Sequence, residues 1–335
     1  MRTPIVEYLQ NEVVIMDGGQ GTELERRGIN VSHPLWSSLP FITKDAKQLE
    51  HIKEMYKDFI DAGSNALMTI TYQASYDSLC KFSNGSVTTR EQYDLFLEDI
   101  IRFTVQECIT PDQYLLGSIG PYAAFLCNGA EYSGDYGSNE IDFIRYFEPQ
   151  VQNFSQNPLI DMIAIETIPN IKELKCLLSS KFGEMVGSKP FYVSISTTEE
   201  GNLRDGTTWE DLCEEIHNLS DQVSSNLLFL GINCVNYHHC YATIERLNKR
   251  LDTLGCDSHL RFKVVYPNSG EIYDGETHSW SPNPHIAPNE TWGFLVSKLL
   301  EQDCKVIGGC CRTTPKDIRE IKKALEFSKN HRRNT

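Results

Sequence analysis

Eight short apolar runs, each leading into a stretch of helical spacing, predict an α/β chain closed into a single (β/α)8 TIM barrel. The runs lie at 13–19, 65–73, 114–120, 161–169, 190–197, 227–234, 261–268 and 305–311. They do not alternate apolar with polar residues, which is what a parallel sheet covered on both faces requires. An open, doubly wound sheet would show the same local pattern, and the count of eight is what favours closure. The whole chain, 1–335, is therefore expected to be one barrel domain with short polar tails at both ends.

The elements follow in order. After the first run, residues 44–62 carry Leu49, Ile52, Tyr56 and Phe59 at spacings of three and four, with Gly63 placed to stop the helix. Two polar, glycine-bearing stretches, "KFSNGSVTTR" and "CNGAEYSGDYGSNE", read as insertions between units, and the second follows strand three where it can cover a site. After the last run Ile318, Ile321 and Leu325 repeat the helical spacing, with Thr314 as N-cap and Pro315 at the first helical position.

Composition narrows the partners. The chain has 335 residues, 40% of them hydrophobic and 23% charged, and no apolar stretch reaches the length of a membrane span. Its beginning has acidic residues and no apolar core of a signal peptide, so the cytoplasm is the expected compartment. No membrane partner is therefore expected, and a formal charge of -15 opposes a phosphate backbone and favours cationic small molecules over nucleic acid. Eleven cysteines in such a chain predict free thiols rather than a disulfide framework.

In a parallel barrel reactive groups come from the C-terminal ends of the strands. Those ends are polar here: "MDGGQG" with Asp17, "TITYQAS" with Tyr72, "GSIGPY", "AIETIPN" with Glu166, "SISTTEEG", "GINC" with Cys234, "YPNSGE" with Asn268, and "GGCC" with Cys310 and Cys311. Neighbouring side chains of a strand point to opposite faces, so Cys310 and Cys311 can share one target only where the strand breaks, and Gly308 and Gly309 offer the backbone freedom for that. A Zn2+ ion explains such a pair, with Cys234 of strand six as the third ligand and an open fourth position. A buried unreactive pair and a strained vicinal disulfide compete with this reading. His238, His239 and Cys240 fall where helix six begins and are expected on its solvated face, and the remaining cysteines as packing residues or incidental thiols. The "DGGQG" turn alone also suits a phosphate-binding lyase or isomerase, and the histidine-cysteine cluster a non-catalytic zinc or thiol-redox protein.

A zinc held by three thiolates is a poor Lewis acid for hydrolysis, but it keeps a substrate thiol as thiolate, the nucleophilic form. Alkylation at sulfur is the chemistry that follows. Taken together, "DGGQGTELERRG", "TITYQAS", "ETIPN", "GINC", "YPNSGE" and "GGCC" resemble the homocysteine S-methyltransferases, along nearly the whole chain. The resemblance implies a (β/α)8 barrel and a catalytic zinc on Cys234, Cys310 and Cys311. It also implies that Asp17, with Gly18 beside it, and Glu166 contact homocysteine, and that Asn268 lines the same pocket. The betaine-using branch carries a tyrosine after the strand-four glutamate, where this chain has Thr167. The pattern is thus closer to the branch that uses a sulfonium, S-methylmethionine or S-adenosylmethionine, with methionine as product.

Overall fold

The computed structural model describes residues 2–274, 279–281, 283–284, 287 and 289–333. Each of the eight apolar runs contains a strand: β1 (Val14–Ile15), β2 (Ala66–Met68), β3 (Tyr114–Ile119), β4 (Met162–Ile168), β5 (Phe191–Ile195), β6 (Leu227–Asn236), β7 (Phe262–Asn268) and β8 (Val306–Ile307). All neighbours pair in parallel, and the sheet runs β1-β8-β7-β6-β5-β4-β3-β2, so its two ends are the first two strands. They meet through single bonds rather than a ladder. Asn65 N donates to Ile15 O at 2.9 Å, Ile15 N to Asn65 Oδ1 at 2.8 Å, and Met68 N to Asp17 Oδ2 at 3.1 Å. One carboxylate thus helps to close the barrel and stands at its mouth.

The lack of alternation in the strands has a simple origin. Val14, Met16, Tyr114, Leu116, Tyr192, Val264 and Tyr266 fill the inside of the barrel, while Ile15, Leu115, Ile163, Val193 and Val265 pack outward against the helices. Both faces of the strands are mostly buried and mostly apolar, with Ser118, Glu166, Ser194 and Asn233 among the buried polar exceptions. The helix Ile5–Asn11 adds Ile5 and Leu9 to the inner cluster, and Tyr8 meets Tyr114 with ring centroids 5.5 Å apart, so this segment closes the far end of the barrel. Ahead of this helix Arg2 is bonded to Asp161 at 2.5 Å. At the other end helix runs to Arg333, and the last two residues lie outside the described ones.

The helix Ala46–Ala62 starts at Asp45, whose side chain accepts from Lys47 N and Gln48 N, a cap worth about 1 kcal/mol. It ends at Gly63, with φ of 121°, and buries Ile52, Met55, Tyr56 and Phe59. In the last helix, Pro315–Arg333, Thr314 Oγ1 accepts from Lys316 N at 3.3 Å and Ile318, Ile321 and Leu325 are buried.

Candidate active site

Three sulfur atoms gather at the C-terminal mouth of the barrel. Cys234 Sγ lies 3.1 Å from Cys310 Sγ and 3.7 Å from Cys311 Sγ, and the last two are 4.0 Å apart. Among the described residues this is the one histidine, cysteine and carboxylate group compact enough to hold a metal ion. No disulfide joins them; all eleven cysteines are free. Hydrogen bonds from Cys234 and Cys310 hold the Cys311 thiol well below its usual range, while Cys310 is pushed well above it by bonds to the other two sulfurs. Cys234 is likewise pushed up, so the cluster favours the thiolate at Cys311, and a bound cation would favour that form at all three sulfurs.

The backbone that presents these thiols differs from expectation. Gly308 and Gly309 are needed for close approach and not for unusual angles, since neither has a positive φ. A Cβ on Gly309 would stand 2.1 Å from Thr313 Oγ1, and one on Gly308 2.6 Å from Met16 Cβ, so the β8 loop could not nest against the β1 loop. The left-handed residues are Cys234, with φ of 56°, and Arg312, with φ of 65°. Cys310 is then fixed by its N–H on Pro267 O at 2.7 Å and its carbonyl on Thr313 Oγ1 at 2.6 Å.

Strand β4 is also interrupted. Its register on β5 shifts between Ile165 and Ile168, and Thr167 has φ of 64°. Asn233, fully buried on β6, holds this bulge: its Oδ1 accepts from Thr167 N at 2.9 Å and its Nδ2 donates to Thr167 Oγ1 at 2.7 Å. Ser194 donates to the same Oδ1 at 2.7 Å and bonds the Tyr266 hydroxyl at 2.6 Å. This network ties Glu166, the neighbour of Thr167, to Cys234, the neighbour of Asn233 itself.

The carboxylates of Asp17 and Glu166 face a cavity of about 230 Å³ that all three cysteines and Gly18 also line. Asp17 accepts from Gln20 Nε2 at 2.8 Å besides Met68 N, and burial pushes it up to about 7. Burial pushes Glu166 up to about 8; the Ser118 hydroxyl, donating at 2.5 Å, opposes this and the charge of Asp17 adds to it. No cation of the described residues contributes to either shift. Two desolvated acids without a positive partner make a site for a cationic ligand. Trp36, Tyr72, Glu131 and Tyr132 wall the cavity, the last two on the insertion after β3.

On β7 Tyr266 lines this cavity, and Asn268 lies two residues further along, roughly 6.6 Å higher. There it borders a second cavity of about 470 Å³, together with Cys234, Tyr132, Arg204 and His239. Cys240 departs from the sequence reading. It is wholly buried at the start of the helix Tyr237–Leu254 instead of on a solvated face, with its thiol on Asn236 O at 3.4 Å. Sequence reasoning did not single out Ser118, Ser194, Asn233, Tyr266 or Arg204. The polar strand ends "GSIGPY" and "SISTTEEG" were the available signal for the first two, while Trp36 comes from an irregular stretch with none.

The chain has counterparts among known proteins. The sequence pattern described as homocysteine S-methyltransferase matches residues 14–325. Homocysteine S-methyltransferase 2 of Saccharomyces cerevisiae is 42% identical, over 97% of this chain and 98% of its own, and homocysteine S-methyltransferase 1 of the same yeast is also 42% identical with the same coverage. Among solved structures, the metallated form of the homocysteine methyltransferase MmuM from Escherichia coli superposes with a TM-score of 0.70 at 25% identity, covering 96% of this chain and 99% of the other.

Proposed function

The chain belongs to the homocysteine S-methyltransferase family, and from that premise we propose a zinc-assisted methyl transfer between two sulfur atoms at the mouth of this barrel. The enzyme places a methyl group on the thiol of homocysteine, which makes methionine. The observation that carries the proposal is the meeting of three thiols and two uncompensated carboxylates on one cavity.

The donor set fits zinc. Tetrahedral coordination with Zn–S of about 2.3 Å separates sulfurs by roughly 3.8 Å, and the three distances here are 3.1, 3.7 and 4.0 Å. Cys234, Cys310 and Cys311 would hold the ion, and a fourth position would face the cavity. When bound, zinc supplies the positive charge that keeps the homocysteine sulfur in its thiolate form near neutral pH.

Everything else falls to the chain. Asp17 and Glu166 hold the substrate ammonium through charge-assisted hydrogen bonds, which fixes the reach of the thiol from the cavity floor. Ser118 orients the Glu166 carboxylate from the adjacent strand. Trp36, Tyr72 and Tyr132 restrict water around the reacting pair. The donor is a sulfonium: a thiolate electron pair forms the new S–CH3 bond, the old bond breaks with its electrons returning to the donor sulfur, and the substrate's thiol proton has already left to solvent. Opposite charges vanish as the methyl moves, so a water-poor pocket favours the transition state, and no acid or base is required in that step. Alignment of the two sulfurs supplies much of the remaining acceleration. The side chain of Thr167 is engaged by Asn233, so it offers no aromatic face of the kind the betaine branch has there.

A phosphate-binding lyase is disfavoured by the same residues. Gly19 N is already bonded to Thr313 O and Oγ1, both at 3.0 Å, and the floor of the cavity is acidic. Among the described residues no helix is long and apolar enough to cross a membrane. We place the enzyme in the cytoplasm, where thiol ligands stay reduced. The testing experiment is methyl transfer to homocysteine by reduced, zinc-loaded protein with S-methylmethionine, S-adenosylmethionine or betaine. Methionine formation from a sulfonium supports the reading, and formation from betaine alone overturns it. Cys234→Ser, Cys310→Ser and Cys311→Ser should each lose zinc and turnover, whereas Cys80→Ser, at an exposed position, should keep both.

A further inference from the structure

The second cavity adjoins the first across Cys234 and Tyr132, the residues that line both. Its polar groups are conspicuously short of partners. Thr197 Oγ1 belongs to a side chain 1% exposed and finds no hydrogen-bond partner, and Asn268 Oδ1 is likewise buried without one. Arg204 is half-buried on the same wall. Its Nε donates to Ser196 Oγ at 3.3 Å and its guanidinium lies 6.0 Å from the centre of the Tyr132 ring, but among the described residues it makes no ion pair with a carboxylate. Burial pulls its pKa down, so the site holds an arginine charge at a cost.

The loop that carries Arg204 is built to keep it there. Thr197 and Leu203 form an antiparallel bridge, Thr198 N donates to Asn202 O at 2.8 Å, and Leu203 N to Thr207 O at 2.9 Å. The next residue, Asp205, accepts from Ile171 N at 2.7 Å and donates its own N–H to Pro169 O at 3.1 Å, pinning the loop to the end of β4. A guanidinium with its fork free, on a pinned loop, is suited to a planar carboxylate. Hydroxyl and amide groups without partners on the same wall supply the remaining contacts such a ligand would need.

We propose that this second cavity is the donor subsite, and that Arg204 binds the α-carboxylate of a sulfonium carrying an α-amino acid. The proposal rests on the sulfonium reading given above and adds where that donor is held. Homocysteine occupies the inner cavity with its ammonium on Asp17 and Glu166. The donor enters from the outer one, so its methyl group approaches the sulfur cluster over the Cys234–Tyr132 rim. S-methylmethionine and S-adenosylmethionine share the amino-acid end and differ in the third substituent on sulfur.

The test uses reduced, zinc-loaded wild type, Arg204→Met and Arg204→Lys, with S-methylmethionine, S-adenosylmethionine, betaine and trimethylsulfonium as donors; the last has no carboxylate. The expected result for Arg204→Met is a drop of roughly ten- to a hundredfold in the kcat/KM ratio of amino-acid sulfonium to trimethylsulfonium, carried by the donor KM. Arg204→Lys should recover part of it, and zinc content and homocysteine KM should stay at wild-type values. Comparison of the two amino-acid sulfoniums in the wild type identifies which of them the cavity favours. An unchanged ratio in Arg204→Met, with wild-type turnover of sulfoniums intact, removes the subsite and leaves the sulfonium reading standing. Loss of zinc or a raised homocysteine KM would assign Arg204 to the inner site and also overturn the proposal. Turnover with betaine and with no sulfonium would remove both.

Discussion

Single residues carry the chemistry, and at this scale Glu166 is the sharpest probe. Glu166→Gln keeps the shape and removes the charge, so homocysteine should bind about one to two decades more weakly, a loss of roughly 1.5 to 3 kcal/mol, while zinc content is unchanged. Calorimetric titration beside metal analysis checks this; zinc leaving with the carboxylate would make Glu166 a support of the metal site. The raised values of Asp17, about 7, and Glu166, about 8, also set a pH dependence. Each acid protonates more readily in the folded than in the unfolded chain. The stability this contributes is complete below about 4, the range of a free carboxylate, and is lost as pH rises through 7 and 8. A ligand ammonium needs the ionised form, so affinity should rise across the same window. Measured with methionine, whose sulfur does not titrate, binding should strengthen from pH 6 to 8.5, and Glu166→Gln should flatten the upper part of the rise. The cysteines and these acids were legible because each ends an apolar run, where a barrel places its site. Arg204 was not: it lies nine residues past the end of β5, in a loop that only the folded bridge at Thr197 brings back.

Elements position these residues through irregularities rather than through regular structure. The bulge of β4 and the left-handed Cys234 of β6 are held against each other by one buried amide. Asn233→Ala would remove the acceptor of Thr167 N and the donor to Thr167 Oγ1 inside the protein. At roughly 1 to 3 kcal/mol for each stranded group, the expected loss is about 3 kcal/mol of stability, read by urea denaturation. The same variant should retain zinc more weakly, since Cys234 is the next residue along the chain. Stability and zinc retention equal to wild type would show that the bulge holds itself. Strand positions were legible from the continuous apolar runs, and the helix Ala46–Ala62 from its period and from Gly63 at its end, whereas its Asp45 cap was not singled out. The bulge was not, because "AIETIPN" reads as an uninterrupted strand and the amide that breaks it comes from a strand some sixty residues away, |i−j| being 66. The glycine pair before the cysteines was recognised as necessary but for flexibility, whereas packing against Met16 and Thr313 is what demands it.

At the scale of the molecule, the barrel brings chain positions as distant as 17 and 311 onto one cavity, and closes with Asp17 as part of its seam. Eight parallel strands were legible as a count, and closure followed from it. The seam itself was not, because β1 and β2 meet through Asn65 and Asp17 side chains and not through a ladder any periodicity could reveal. The central proposal is that three thiols from β6 and the β8 loop hold a zinc ion whose fourth position takes the homocysteine sulfur, while the two carboxylates hold the other end of that substrate. X-ray absorption at the zinc edge measures this directly. The reduced, zinc-loaded enzyme should show three sulfur neighbours at about 2.3 Å and one lighter atom. Adding homocysteine should raise the count to four sulfurs at about the same distance. A count that stays at three with homocysteine bound, or a site that keeps three sulfurs in Cys234→Ser, would contradict the account.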